Sequence, residues 1–163
     1  MKRLICGVLA CLFLIGCSGY TEGLRNPVTF YYVRADYWED MSSPIGSEQR
    51  EASGHQRDIS YLLSLYLMGP YQEGLVYAFP MGTKAVSLDR EGPALDLVLS
   101  DTEESLSEAE YALACLCLSR TLLGLTDAQS VTISSGSRSI TMTKDNVSTY
   151  DAPENTVQTE ETK

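Results

Sequence analysis

Basic residues are scarce in this chain. Lysine and arginine number 12 against 22 aspartates and glutamates, which gives a formal net charge of -10 over 163 residues. A surface this acidic repels nucleic acid, because the phosphate backbone is itself densely negative. We therefore expect no nucleic-acid partner. The length suits one domain with short appendages, and a hydrophobic content of 44% is enough for a core.

Histidine is almost absent, since His55 is the only one in the chain. It lies in a charged stretch, and no nucleophile motif accompanies it, so a paired nucleophile and general base are not predicted. The sequence has no Gly-rich phosphate loop and no CxxC pair, and Asp36, Glu39 and Asp40 lack the spacing of a calcium loop. We expect no catalytic residue, no metal and no cofactor, and hence a protein that is not an enzyme.

Long apolar runs are also missing after residue 16. At the start, Lys2 and Arg3 precede a short apolar run that ends in LIGC at residues 14–17. This layout is typical of a secretory signal peptide, and the run is shorter than the roughly 20 residues of a transmembrane helix. Its last four letters resemble a bacterial lipobox, in which the cysteine is lipidated and cleavage precedes it. We predict a signal peptide over residues 1–16 and lipidation of Cys17, with acyl chains such as palmitate.

The predicted cleavage sets the limits of the folded domain. It removes Lys2 and Arg3 and leaves 10 basic residues against 22 acidic ones, a net charge of -12. Residues 17–26 would form a short, turn-rich tether to the extracytoplasmic face of the cell membrane. Residues 145–163 are polar and acidic and lack periodicity, which predicts a disordered tail. The domain would therefore occupy residues 27–144.

Two cysteines, Cys115 and Cys117, remain in that domain. Their spacing places the side chains about 200° apart on a helix, which argues against a disulfide between them. We interpret Cys115 as a small buried hydrophobe. Cys117 shares a helical stripe with Glu110 and Thr121, which predicts a position nearer the surface.

Two helices are predicted from periodicity and caps. The stretch at residues 59–67 has one apolar helical face, formed by Ile59, Leu62, Leu63, Tyr66 and Leu67. Gly69 followed by Pro70 ends the helix. Ser107 and Glu110 form the S-x-x-E capping box of a second helix. Gly124 is the predicted cap at its end.

Alternating and β-branched stretches predict the strands. The clear ones are a strand at Val28–Val33, a hairpin of Thr83–Leu88 with Ala94–Leu99, and a hairpin of Ser130–Ser134 with Ser139–Thr143. Weaker signals occur at Ser47–Ala52 and Leu75–Phe79. We expect an α+β fold of order β-α-β-β-α-β-β, a small sheet of about four to five strands with two amphipathic helices packed on one face.

The irregular segment from Arg34 to Gly54 is the candidate partner surface. Long loops within compact domains are often functional, and Tyr37 and Trp38 lie there among acidic residues. Aromatic side chains are frequent anchors at protein interfaces. The alternative is that these two aromatics fold back to cover the core.

Several of these stretches together resemble the GerMN domain. The family shows a leucine-rich helix ending in Gly-Pro and then a Pro-x-Gly-Thr step into a hairpin. Here these are YLLSLYLMGP at residues 61–70 and PMGT at 80–83, within GLVYAFPMGTKAVSLDREGPALDLVLS. SEAEYALACLCL at 107–118 and DAQSVTISSGSRSITM at 127–142 also match, so the resemblance covers residues 28–143.

The resemblance implies an extracytoplasmic binding or scaffolding module, carried by lipoproteins of spore-forming bacteria and associated with sporulation and spore germination. It carries no catalytic residue over to this chain. The family fold is similar to ring-building motifs of envelope complexes. This sequence has one copy of the domain and no appended enzymatic or wall-binding domain, which leaves ring assembly open.

We therefore predict a membrane-anchored lipoprotein whose non-catalytic module binds protein partners of the cell envelope, in an envelope, sporulation or germination process. The alternative is a small lipoprotein that binds a solute or a cell-wall fragment, and a hydrolase ranks third. A ligand-binding protein needs an enclosed pocket with converging polar groups. A scaffold shows an exposed sheet edge or apolar patch instead.

Overall fold

The computed structural model describes residues 24, 26–37, 43–52 and 54–148. Its elements are β1 Pro27–Arg34, β2 Ile45–Glu51, α1 Ile59–Leu67, β3 Leu75–Val76, β4 Ala85–Glu91, β5 Ala94–Leu99, α2 Glu108–Leu125, β6 Ser130–Ser135, β7 Arg138–Thr143 and α3 Lys144–Ser148. The predicted α+β class is confirmed, and both predicted hairpins are present, as β4–β5 and β6–β7.

The strands form two sheets within that class. β1 is the centre of an antiparallel sheet of order β2-β1-β3, and the other four strands form a sheet of order β4-β5-β6-β7. The β5–β6 pair is parallel, because α2 supplies the crossover that a parallel connection needs. We predicted one sheet of about four to five strands. The difference arises because β1 pairs with the weakly predicted β2 along its length, and not with either hairpin.

Helix α2 joins the two sheets. The Tyr31 N–H on β1 donates to Thr121 Oγ1 at 2.9 Å, and the Tyr111 hydroxyl donates to the Ile133 carbonyl on β6 at 3.0 Å. The N–H of Tyr31 thus finds its acceptor in a helix side chain, so α2 satisfies a backbone donor of β1 as well as burying apolar surface.

The structure confirms the predicted cap of α2 at one end of the helix only. The capping box is confirmed, because the Ser107 N–H donates to Glu110 Oε2 at 2.8 Å and the Glu110 N–H donates to Ser107 Oγ at 3.4 Å. The prediction of Gly124 as the C-terminal cap is wrong, since the helix continues to Leu125. Thr126 ends it, with its hydroxyl donating to the Leu122 carbonyl at 2.8 Å.

The two thiols of α2 are both in the core. Cys115 is fully buried as predicted, but Cys117 is 0% exposed too, so its predicted position nearer the surface is wrong. The polar side of the stripe that we assigned to Cys117 faces β1, where Thr121 accepts the Tyr31 N–H. At Thr121 the stripe is polar because the hydroxyl bonds to a strand, and this residue is buried.

Helix α3 extends the folded part past the predicted limit at Lys144. Its Val147 is 6% exposed and belongs to the core, and the Lys144 N–H donates to the Gln129 carbonyl at 3.0 Å. Residues 149–163, the rest of the predicted tail, lie outside the described residues.

Candidate interaction surface

The site residues predicted from the sequence fall in different places. Cys17 and Trp38 lie outside the described residues. Tyr37 is half-buried and lines a cavity of about 260 Å³, together with Tyr77 from the chain after β3 and Leu113 from α2. Its role as a partner surface therefore stays a prediction.

A larger depression lies between α1 and the segment that leads into β4. It has a volume of about 580 Å³. We call it the α1 groove, and it is lined by Ser60, Ser64, Leu67, Met68, Tyr77, Met81, Gly82, Thr83, Lys84 and Ala85. The α1 residues among these lie beside the face that Leu63 and Tyr66 bury in the core. One short helix thus serves the core on one face and a surface groove on the adjoining one.

Large apolar side chains in this groove are open to solvent. Met81 is 79% exposed, Met68 60% and Tyr77 41%. Val86, next in the chain to the groove residue Ala85, is 68% exposed. Apolar side chains that are clustered at one place on a surface, and not scattered singly, mark an interaction site. Methionine suits such a site, because its flexible thioether chain adapts to different partner shapes.

The turn that presents Met81 is well defined. The Thr83 N–H donates to the Pro80 carbonyl at 3.1 Å, and the Thr83 hydroxyl donates to the same oxygen at 2.7 Å. Gly82 has φ +93°, which glycine adopts without steric cost. Met81 is therefore held out in water by a closed turn, so its exposure is built into the fold.

The opposite wall depends on a close approach of Tyr77 to Gly69. Gly69 has φ +91°, and a Cβ built on it would overlap the Tyr77 ring. The ring therefore packs directly on the backbone where the chain leaves α1. Only glycine permits this contact, which explains why the Gly-Pro step that ends the helix also shapes the groove.

A buried ion pair between Arg50 and Glu48 holds the C-terminal end of α1 in place. Arg50 is 6% exposed and Glu48 5%, and Arg50 Nε donates to Glu48 Oε1 at 2.6 Å. The same guanidinium donates to the carbonyls of Leu65, at 3.0 Å, and Gly69, and to the Tyr32 hydroxyl at 3.1 Å. These carbonyls are among those that a helix leaves without intrahelical partners at its C-terminus. A cation there also interacts favourably with the helix dipole.

The other carboxylate oxygen of this pair holds the chain after α1. Glu48 Oε2 accepts from the backbone N–H of Tyr71 at 2.9 Å and of Gln72 at 2.7 Å. The Tyr71 ring lies 3.9 Å from the Arg50 guanidinium and covers it from the solvent side. The ion pair therefore positions both the end of α1 and the loop that leads to the Tyr77 wall.

Reactive groups are few in the described part of the chain. Burial raises the pKa of Cys115 and of Cys117 to about 12, so neither thiol forms the thiolate that nucleophilic chemistry requires at neutral pH. His55 is exposed and lies 3.8 Å from Asp58, with its ring against Tyr61. Among the described residues no group of three or more His, Cys, Asp or Glu side chains is placed to hold a metal ion.

Comparison with protein-family models and with curated proteins gives no match. Comparison with solved structures gives the tandem GerMN domains of the sporulation protein GerM from Bacillus subtilis, at a TM-score of 0.51 and 20% identity. The match covers 72% of this chain and 43% of that structure. The chain has a GerMN-like fold.

A second structure, of a presumed lipoprotein from Clostridium perfringens, matches at 17% identity over 73% of this chain and 89% of that one. Its TM-score is 0.44, and no argument rests on it. The likeness to GerM agrees with the resemblance stated from the sequence and concerns the fold alone. None of the helices that the structure describes is long and apolar enough to cross a membrane.

The exposed residues of this GerMN-like fold were not singled out in the sequence. Met68, Met81 and Lys84 lie within the stretch that carries the family resemblance, and we treated that stretch as packing and turns. A signal was present, because the Pro-x-Gly-Thr turn surrounds a large apolar residue, Met81, at a position where turns are usually polar. Only the position of α1 shows that this residue forms the wall of a groove.

Proposed function

We propose that this protein is a non-catalytic, membrane-anchored interaction module that binds a partner protein of the cell envelope through the α1 groove. The observation that carries the proposal is the α1 groove itself, where a closed turn holds Met81 exposed, Tyr77 packs on Gly69, and Met68 is exposed at the end of α1. Side chains of this kind stabilise a complex when a partner removes them from water, at about 25 cal/mol per Å² of apolar area.

The predicted anchor supports a partner that stands off the membrane. The tether precedes Pro27 at one end of β1, and Val33 near the other end pairs with Val76, next to the groove residue Tyr77. Six residues of strand separate these ends, about 20 Å at about 3.3 Å per residue. With Cys17 lipidated, the Tyr77 wall would lie at the end of β1 remote from the tether.

The biological process in the proposal is sporulation or germination, or a related envelope process. It is supported by the GerMN-like fold and by the fact that one structural neighbour, GerM, is a sporulation protein. The non-catalytic part of the proposal is supported by the raised pKa of both thiols and by the solvent exposure of His55.

Photo-crosslinking in intact cells tests the docking surface. A photoreactive phenylalanine derivative replaces Met81 in the full chain, and the control replaces Val98, an apolar residue that is 38% exposed on β5. We expect a specific crosslinked product from position 81 and none from position 98. Absence of any product at 81, or equal products at both positions, contradicts the proposal.

Fractionation tests the anchor separately. We expect Cys17→Ala to release the protein from membranes into the soluble fraction, because no acyl chain would then hold it. Retention in the membrane fraction would mean that something other than Cys17 anchors the chain.

A small-ligand protein is the second candidate, favoured by the volume of the groove. About 580 Å³ lies within the roughly 300–1,000 Å³ of small-molecule sites. The wide exposure of Met68 and Met81 argues against an enclosed site. Native mass spectrometry of the protein isolated from its own cells separates the two: a retained small molecule, lost in Met81→Asp, supports the second candidate, and its absence supports the first.

A further inference from the structure

Lys84 is the one charged side chain that lines the α1 groove. Its backbone is tied to the end of β5, since the Lys84 N–H donates to Ser100 Oγ at 3.0 Å and the Ser100 N–H donates to the Lys84 carbonyl at 2.8 Å. The start of its side chain is therefore fixed beside the Thr83 turn, while the ammonium is free to move on a flexible stem.

This lysine differs from three arginines of the domain, each of which has a carboxylate partner. Arg34 lies 2.9 Å from Asp36, Arg90 lies 2.7 Å from Asp127, and Arg50 has its buried carboxylate. Within the described ranges, no carboxylate oxygen lies within 4.0 Å of the Lys84 ammonium. In a chain with 22 acidic residues, the groove thus contains a cation that the described part of the domain does not neutralise.

We infer that the α1 groove binds an apolar segment of the partner protein that carries a carboxylate, and that this carboxylate pairs with Lys84. The inference rests on the proposed function and adds the chemistry of the partner. The methionine and tyrosine walls take the apolar side chains of the segment. A segment that covers these walls also excludes water from around the Lys84 ammonium. The attraction between the ammonium and an opposite charge is stronger there than in water.

Because the rest of the surface is acidic, the pair between Lys84 and the partner's carboxylate contributes to specificity. A carboxylate meets repulsion over most of a chain with a formal net charge of -10 and meets attraction at the groove. The segment is therefore held in one register, with its acidic group beside Lys84 and its apolar groups against Met68 and Met81. Charged pairs at an interface act mainly in this way, on register and partner choice.

The carboxylate has two sources in a protein, an aspartate or glutamate side chain and the chain terminus. Both present the same two oxygens to an ammonium group, and the groove walls do not distinguish them. Mapping the crosslinked peptide of the partner by mass spectrometry distinguishes them. A terminal peptide indicates the chain terminus, and an internal peptide with an acidic residue near the crosslink indicates a side chain.

The test combines the position-81 crosslink with changes at Lys84 in the full chain. Because pairs at an interface rim are individually modest, we expect Lys84→Gln to reduce the crosslinked product about threefold and Lys84→Glu about tenfold. Lys84→Arg keeps the positive charge and should stay within about twofold of the parent protein. Lys144→Glu is the matched control, because it makes the same change in net charge at the start of α3, outside the groove. It should leave the product unchanged.

Three results overturn the inference. One is a product at position 81 that Lys84→Glu and Lys144→Glu affect equally, or not at all. Another is a crosslinked peptide without an acidic residue or a terminus near the crosslink. The third is a product that contains a lipid or a second copy of this chain. In the first two cases position 81 still crosslinks to a partner protein, and the proposed function stands. The third result, the loss of the product, or equal products at positions 81 and 98 contradict the proposed function itself.

Discussion

The two longer helices of this domain use their surfaces in different ways. α2 has 18 residues, ten of them buried, and it contacts both sheets through Tyr111 and Thr121. α1 has nine residues, of which Leu62, Leu63 and Tyr66 are buried. α2 therefore leaves little surface for another molecule, while α1 leaves the side that lines the groove.

The two helices are also held by different means. α2 begins with a local capping box and is long enough to bury an apolar surface along most of its length. A nine-residue helix is marginal by itself in water, because the nucleation cost is spread over few bonds. α1 depends on a neighbouring strand, from which Arg50 donates to the carbonyls of Leu65 and Gly69, and Glu48 accepts from the N–H groups that follow the helix. A short helix can thus stay partly exposed when a buried polar group, and not only apolar packing, secures its end.

Removal of Arg50 should have the largest effect on this difference. Arg50→Ala leaves Glu48 buried without its partner, and breaking a buried pair in this way costs about 3–5 kcal/mol of unfolding free energy. Arg34→Ala is the control, since its pair with Asp36 is exposed and contributes at most about 1 kcal/mol. Urea denaturation measures both. Equal losses for the two variants would mean that the buried pair does not secure α1.

Truncation of one core leucine in each helix compares their packing. Leu63 in α1 is 2% exposed and Leu118 in α2 is 0% exposed. We expect Leu63→Ala and Leu118→Ala each to lower the unfolding free energy by about 2–5 kcal/mol, through lost burial and the cavity left behind. A loss below about 1 kcal/mol for Leu63→Ala alone would show that α1 is loosely packed.

A comparison of two glycines distinguishes the stability cost of overlap with the Tyr77 ring from the cost of backbone strain. Gly69 and Gly74 have φ +91° and +84°, but only a Cβ at Gly69 would overlap the Tyr77 ring, while Gly74 has open space. Either alanine is strained by roughly 1–2 kcal/mol in this conformation. We expect Gly69→Ala to cost about 1–3 kcal/mol more than Gly74→Ala, because of overpacking.

The same comparison in a Tyr77→Ala background serves as its control. If the extra cost of Gly69→Ala comes from the ring, that background should remove it. If Gly69→Ala still costs more than Gly74→Ala without the ring, the cause of the extra cost lies in the backbone.

Loss of the α2 cap should have the smallest effect of these four. Ser107→Ala removes the N-cap acceptor and should lower the unfolding free energy by about 0.5–2 kcal/mol. Ser105→Ala, just before the helix, is expected to change it by less than about 0.5 kcal/mol. Equal effects would mean that the capping box adds no stability.

Unfolding at lower pH is a second test of the Ser107–Glu110 cap. Hydrogen bonds from Ser107 to the Glu110 carboxylate lower the pKa of that group. A carboxylate whose pKa is lowered by folding adds stability above its unfolded pKa, and this stability is lost as the pH falls through the lowered value. The difference in unfolding free energy between Ser107→Ala and the parent protein should therefore become smaller as the pH falls below about 4.

Local interactions explain which parts of the fold were predictable. The hairpin β6–β7, the start of α2 and the end of α1 at Gly69 depend on residues close in sequence, and the structure contains all three. The end of α2 was misassigned at Gly124 because a threonine two residues later offers a side-chain cap, and both are compatible with a helix end.

Burial of polar residues was not predictable in the same way. β2 reads IGSEQRE and contains no apolar alternation beyond Ile45, so it looked like a charged loop with a weak strand. Glu48 and Arg50 are two apart and lie on one face of the strand, where each neutralises the other. Their burial depends on Tyr32 and the end of α1, which are distant in sequence.

The sequence by itself determined the α+β class, the helix starts, the two hairpins and the resemblance to the GerMN domain. These depend on periodicity, caps and turns, which act over a few residues. Only the tertiary structure decided that the strands form two sheets, that Cys117 and the Glu48–Arg50 pair are buried, and that Met68, Met81 and Lys84 meet in one groove. The physical reason is that burial, charge neutralisation and shape depend on side chains brought together from distant parts of the chain.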